Sequence, residues 1–215
     1  TGIILLGVVM TLFTSKLLSK TILKGVPSSF ILELPPYRKP QIGKILIRSI
    51  FDRTLFVLGR AATVAAPAGL IIWIMANVEP GGISILDRCA LFLEPFANLL
   101  GMDGYILMAF ILGLPANEIV LPIVLMSYMS AGSMMEYESL TQLGSVLTSN
   151  GWSNLTAICV MLFSLMHFPC GTTLWSIKKE TGSLRWTVLS FILPTAMGII
   201  ACFTVTTVFR LFGWA

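Results

Sequence analysis

The sequence predicts an all-α, polytopic membrane fold containing one broken or re-entrant helix and amphipathic helices at the interface. Three observations carry that expectation. Of the 215 residues, 56% are hydrophobic and only 11% charged, against about 25% charged in soluble domains, and the mean hydropathy is +0.89. Several apolar runs approach or exceed the ~20 residues that a bilayer-spanning helix requires. One run, residues 111–130 (ILGLPANEIVLPIVLMSYMS), places Asn117 and Glu118 between Pro115 and Pro122. A carboxylate at membrane depth costs about 2.5–3.5 kcal/mol on insertion scales, so it normally faces a pathway or a partner. Proline removes a backbone donor and leaves carbonyls of the preceding turn free. A buried acid beside a broken helix is the pattern of a transporter's substrate site.

The elements follow in order. Ile3 to Leu18 is a short first span; Thr1-Gly2 leads straight into it without initiating Met, basic n-region or small-residue cleavage site. No signal peptide is expected, and the start reads as a cut through a longer polypeptide. Gly25, Pro27, Pro35, Pro36 and Pro40 deny a continuous helix over 25–40 and mark a structured linker. From Gln41 to Arg60, Gln41, Lys44, Arg48 and Asp52 form a polar stripe opposite Ile42, Ile45, Leu46, Ile50, Leu55 and Phe56. This spacing predicts an interfacial amphipathic helix near 41–58. Between residues 16 and 60, nine basic residues, Arg38 and Lys39 among them, stand against Glu33 and Asp52. Beside membrane spans, such a patch marks the cytoplasmic side; the bilayer is the expected partner and nucleic acid is not.

Ala61 to Val78 is a second span, interrupted by Pro67 and Gly69. Residues 79–103 carry Glu79, Asp87, Glu94 and Asp103 against Arg88 alone, and belong outside. Phe92, Leu93, Phe96, Leu99 and Leu100 predict a second interfacial helix near 84–100. The stretch 104–130 is long enough either to cross once as a kinked helix or to dip in and return as two half-helices meeting near Pro115. Ser130 to Ser153 reads as an outside loop with Glu136 and Glu138; Asn154 to Ser176 then crosses to a turn with Lys178, Lys179 and Arg185, and Trp186 to Phe209 crosses back. Placing both basic segments on one face requires a re-entrant 104–130, which is the expected topology.

Glu118 is the leading site residue, since a fixed negative charge suits a cation. Carbonyls near Leu114 or Ile111 can add neutral oxygen, and Asn117 another. A second constellation is Met166-His167-Phe168-Pro169-Cys170-Gly171-Thr172-Thr173, where Pro169 and Gly171 flank a thiol at an expected irregularity. Thiol, imidazole and carboxylate together suit a borderline transition metal better than magnesium or calcium. The bland alternatives are a packed thiol, a histidine bonded to a carbonyl and a polar helix clamp. Most of the eleven methionines are expected to be core or lipid-facing filler. Cys89, Cys159, Cys170 and Cys202 lack metal-finger spacing and are expected to be free thiols. No nucleotide loop occurs, His167 is the sole histidine, and no base stands near a serine, so hydrolysis within this chain is not expected.

Glu33-Leu34-Pro35-Pro36-Tyr37-Arg38-Lys39-Pro40, Gly113-Leu114-Pro115-Ala116-Asn117-Glu118-Ile119-Val120, and Pro169-Cys170-Gly171-Thr172-Thr173 followed by Lys179-Glu180-Thr181-Gly182-Ser183 resemble the membrane half of the ferrous iron transport protein B family. Order and spacing match from about Phe30 onward. The resemblance implies a second gate-type membrane segment, with a first gate segment and a GTPase domain upstream of this chain. It implies a ferrous-iron path, with Fe2+ as transported substrate rather than a tightly bound cofactor, and Cys170 as a metal contact. Asn117 departs from the family's commoner Ala-Lys-Glu, which leaves Glu118 without a local counter-charge. The gate module also recurs in nucleoside-recognition and spore-maturation proteins. The expected divisions are 1–24, a truncated span with its basic flank; 25–60, the cytoplasmic linker and amphipathic helix; 61–210, the gate-type domain; and 211–215, a tail. The expected setting is the cytoplasmic membrane of a prokaryote, with a homo-oligomer allowed. A gate module for a non-metal solute, or a structural partner in a membrane complex, is the alternative function.

Overall fold

The computed structural model describes residues 2–21, 42–48, 51, 54–130 and 139–213. Every regular element among them is a helix, and the fold is that of a polytopic helical membrane protein. Two compact units are distinguishable, 1–59 and 60–215. In the first, α1 (Gly2–Thr21) is a 20-residue apolar helix with no buried side chain. Exposed Ile4, Leu5, Val9, Leu12 and Phe13 suit hydrocarbon rather than water. The short α2 (Ile42–Arg48) falls within the expected amphipathic helix. Gln41, Asp52, Glu136, Glu138 and the loop with Arg38 and Lys39 lie outside the described residues.

The second unit opens along α3 (Phe56–Asn77), which carries Pro67 within it. Ser84 then starts α4 (Ile85–Leu99): its hydroxyl accepts the Asp87 N–H at 3.0 Å and donates to the Asp87 carboxylate at 2.7 Å. This cap satisfies a backbone donor that the first turn leaves orphaned. Leu86, Ala90 and Ala97 face inward, while Leu91, Phe92, Phe96 and Leu99 stay exposed. That division fits the interfacial helix expected near 84–100. The next helix, α5 (Gly104–Leu112), is capped by Asp103, which accepts the Ile106 N–H at 2.7 Å. It turns 107° away from α4. Glycine is obligatory at the bend, because a Cβ on Gly104 would collide with the Ala90 carbonyl.

The stretch 104–130 is not a continuous helix. α5 ends at Leu112, a single 3-10 turn covers Asn117–Ile119, and α6 (Val120–Tyr128) follows. Pro122 sits in the first turn of α6, where its missing N–H has no intrahelical partner to lose. The break therefore centres on Gly113–Ala116. Tyr105 and Tyr128, at opposite ends of the segment, meet edge-on with ring centroids 5.8 Å apart. The two nine-residue helices thus run antiparallel, as a hairpin with both ends at one level. Each arm reaches about 14 Å, roughly half of a ~30 Å hydrocarbon core. This is the hairpin of the re-entrant alternative.

Within the expected outside loop 130–153, the structure holds a helix, α7 (Leu140–Ser149). Its Ser, Thr and Gly content disguised it; the apolar spacing Leu140, Leu143, Leu147 is helical. Next come α8 (Asn154–Met166) and α9 (Gly171–Thr181), which form one broken crossing, and α10 (Leu184–Leu211), which returns. With α1 and α3, these give four candidate spans, Gly2–Thr21, Val57–Asn77, Asn154–Thr181 and Leu184–Leu211. They correspond to the four apolar runs in the sequence.

The core lies where the hairpin meets α8 and α10. Phe110 packs edge-on against Phe163 at 4.8 Å, and Ile106, Ile123, Val124, Cys159 and Cys202 are buried with them. Gly198 lets α10 approach Phe163, whose ring would lie 3.2 Å from an added Cβ. Inside a bilayer, such packing of small residues rather than the hydrophobic effect holds helices together. Cys89, Cys159, Cys170 and Cys202 are all free thiols.

Candidate functional site

Two interruptions of helix, far apart in sequence, meet in space. After α8, His167 and Cys170 take extended backbone conformations around Pro169. The Cys170 carbonyl accepts the Thr173 and Leu174 N–H groups and starts α9. The Gly171 N–H, one of the orphan donors of that helix start, donates to the Leu114 carbonyl at 2.7 Å. The tip of the hairpin thereby closes onto the break in the crossing. Gly113 makes the tip tight, because a Cβ there would stand 2.5 Å from Val120 Cγ2 and 3.0 Å from the Ala109 carbonyl oxygen.

Carbonyls expected to be free near Pro115 are engaged. Ile111 accepts the Leu114 N–H at 3.3 Å, and Leu114 accepts Gly171. Cys170 Sγ lies 3.2 Å from Thr172 Oγ1 and 3.1 Å from Thr173 Oγ1, so the two hydroxyls hold the thiol. It is half-buried.

His167 points elsewhere. Its ring sits among Phe110, Phe163 and Phe168, at centroid distances of 5.4, 6.1 and 5.2 Å. Nδ1 lies 2.9 Å from the Ser164 carbonyl, which can only accept, so Nδ1 carries the proton. Nε2 is then a lone pair, buried and without a partner among the described residues. Asn117 and Glu118 occupy the 3-10 turn at the hairpin tip, and both side chains are exposed. Among the described residues no hydrogen bond or ion pair is made by the Glu118 carboxylate.

The structure therefore joins the two motifs through backbone, at Leu114 and Gly171, without gathering their side chains into a chelate. Among the described residues, no three of His, Cys, Asp and Glu stand together as a metal cluster. Of the methionines, Met126 and Met166 are core while Met129 and Met161 are exposed.

Polar cavities open instead at the rim. One of about 250 Å³ is lined by Glu79, Ser84, Asp87, Ser127 and Ser130. Another of about 210 Å³ lies among Asn98, Asp103, Asn150, Thr156 and Arg210. Sequence reasoning read Asp103 only as an outside charge and passed over Tyr128 and Trp152. In the structure, Tyr128 donates to the Asp103 carboxylate and accepts Trp152 Nε1–H at 2.8 Å. Burial raises the Asp103 carboxyl above the ordinary carboxylate range, and the hydrogen bonds from Tyr128 and Ile106 oppose that shift. Nothing in the local sequence flags this cluster, because its members belong to three separate segments.

Comparison with known proteins matches the arrangement on both sides of the division at Gly59. Residues 1–52 match the family described as Ferrous iron transport protein B C terminus, and residues 58–184 match the gate family, described as Nucleoside recognition. The chain is 31% identical to the Fe(2+) transporter FeoB of Staphylococcus aureus strain MSSA476, over 97% of this chain and 30% of that protein. It is 26% identical to the Leptospira biflexa transporter of the same name, over 97% of this chain and 32% of that protein. For the Methanocaldococcus jannaschii transporter of that name the identity is 27%, over 94% of this chain and 31% of that protein. The chain thus spans about a third of the length of these relatives, and no solved structure matches it. With the gate match taking in more than half of the chain and the other match most of the first unit, the chain belongs to the gate family, as the C-terminal membrane region of the ferrous iron transport protein B type.

Proposed function

We propose that this region is the gate half of a permease for ferrous iron or a similar divalent transition metal. The observation that carries the reading is the hydrogen bond from Gly171 to Leu114, which seats the tip bearing Asn117 and Glu118 against the break bearing Cys170. Glu118 supplies electrostatic capture and Cys170 a softer ligand, with Asn117 secondary; His167, expected beside them, has its Nε2 buried in an aromatic pocket and is left out of this path. At the depth this reading gives it, Glu118, exposed and without a partner among the described residues, calls for a covering protein surface. The first gate segment of the longer polypeptide is the proposed cover, with a second copy of the chain as the other candidate. A GTPase domain upstream regulates or powers the flux, and the Arg38–Lys39 loop faces it across the cytoplasmic side of the cytoplasmic membrane.

Iron uptake by the full-length parent tests this directly. Glu118→Gln is expected to lower flux by about tenfold while leaving folding intact. Cys170→Ser replaces sulfur by a harder oxygen and is expected to hurt iron more than manganese. Parental iron flux in both variants at matched expression defeats the two-residue path. A gate module for a non-metal solute is the second reading, favoured by the lack of a three-ligand cluster among the described residues; it predicts metal-independent binding of that solute.

A further inference from the structure

At the rim, three segments converge on one phenol oxygen. Tyr128 closes the returning arm of the hairpin, Asp103 caps the entering arm, and Trp152 precedes the start of α8. The Tyr128 hydroxyl donates to the Asp103 carboxylate and accepts the Trp152 indole N–H. The other Asp103 oxygen accepts the Ile106 N–H at 2.7 Å. One residue further, the Gly104 N–H donates to Glu94 Oε2 at 2.6 Å, tying the same arm to α4. Tyr105 braces the phenol edge-on. Every polar atom of the Tyr128 side chain is thus used, and both hairpin arms are fixed to the segment leading into the broken crossing.

We propose that Tyr128, Asp103 and Trp152 are positioning residues that set the depth and register of the hairpin tip against Cys170. The proposal rests on the reading of the two breaks as the ion path, and it concerns a site about 14 Å away from that path along two stiff helical arms. None of the three touches the ion. Their hydrogen bonds fix the rim end of a hairpin that packs through Phe110 on Phe163, and whose tip makes the Leu114–Gly171 backbone contact. Freeing the rim end lets the tip slide, and a slide of one hydrogen-bond length is enough to part Leu114 from Gly171.

The test uses the full-length parent polypeptide in membranes and proteoliposomes, with Leu114→Cys as a probe beside native Cys170. Tip position is read as the rate of the oxidative 114–170 link, identified by peptide mass, and is independent of transport. Flux is read separately, without the probe substitution. Tyr128→Phe keeps the ring and its Tyr105 contact but removes the shared oxygen. It is expected to slow the 114–170 link by about tenfold, as loss of a charge-assisted hydrogen bond can. Maximal iron flux is expected to fall similarly, with KM within about twofold of the parent. Asp103→Asn keeps an oxygen acceptor for the phenol and is expected to retain most of both readouts, whereas Asp103→Ala loses them. If Tyr128→Phe accumulates poorly, the Asn and Ala variants of Asp103 decide the matter. A parental link rate in Tyr128→Phe, or equal behaviour of Asp103→Asn and Asp103→Ala, overturns the proposal. A slowed link with parental iron flux upholds the positioning role and overturns the ion-path reading instead.

Discussion

The rim and the mid-depth breaks handle polar groups in opposite ways. At the rim, Asp103, Tyr128, Trp152, Ser84 and Glu94 are hydrogen-bonded to named partners. At the breaks, among the described residues, the exposed Glu118 carboxylate has no partner and the buried His167 Nε2 accepts from none. Buried polar groups in proteins are nearly always satisfied, so exceptions call for an explanation. The contrast separates a rim whose polar groups hold one another from breaks whose polar groups do not.

The strongest way to break this comparison is to disturb the rim. Gly104→Ala drives a Cβ into the Ala90 carbonyl, and backbone cannot yield as a flexible side chain does. A loss of roughly 3 kcal/mol in folding is expected, seen as a collapse of the thermal melting temperature in detergent. A melting curve like the parent's would remove the bend from the list of structural requirements.

At the breaks the expected effect has the opposite character. Glu118→Gln removes a charge that pairs with none of the described residues, so on the proposed path stability is expected to hold or rise by about 1 kcal/mol while iron flux falls. Parallel melting and uptake measurements check it; a variant that loses stability and flux together would make Glu118 a structural clamp.

His167→Phe sharpens the contrast further. The orphaned Nε2 disappears into an aromatic pocket at the cost of the Nδ1 hydrogen bond to Ser164. The two changes offset, and a stability change within about 1 kcal/mol is expected by melting. The smallest effect is expected from Gly171→Ala, where an added Cβ would meet Leu114 O and Val64 Cγ1 at an ordinary 3.6 Å. Melting is expected to shift by no more than about 0.5 kcal/mol, because the backbone N–H, not the lack of a side chain, makes the contact.

Legibility followed the range of the interactions involved. The four spans, the interfacial helix at 85–99 and the break at Pro115 were readable, because apolar runs, charge gaps and proline act locally. Lys178, Lys179 and Arg185 even favoured the hairpin over a crossing, and the Tyr105–Tyr128 contact agrees. α7 escaped because Ser, Thr and Gly mimic loop composition while its apolar spacing is helical. In the candidate site, Cys170 and Glu118 stood out as chemistry in apolar surroundings. The contact joining their segments is a backbone hydrogen bond, which no side-chain pattern encodes. The Asp103–Tyr128–Trp152 cluster was equally silent, since each member alone is an ordinary rim residue.

The half-length arms of the hairpin also constrain how the protein is made. Neither α5 nor α6, at nine residues, can span a bilayer. Among the described residues the Leu114 carbonyl finds its backbone donor on α9, which leaves the ribosome after the whole hairpin has emerged. Lipid cannot satisfy exposed backbone at the tip in the meantime. The hairpin is therefore expected to seat itself late in synthesis, once the broken crossing is in place to receive it.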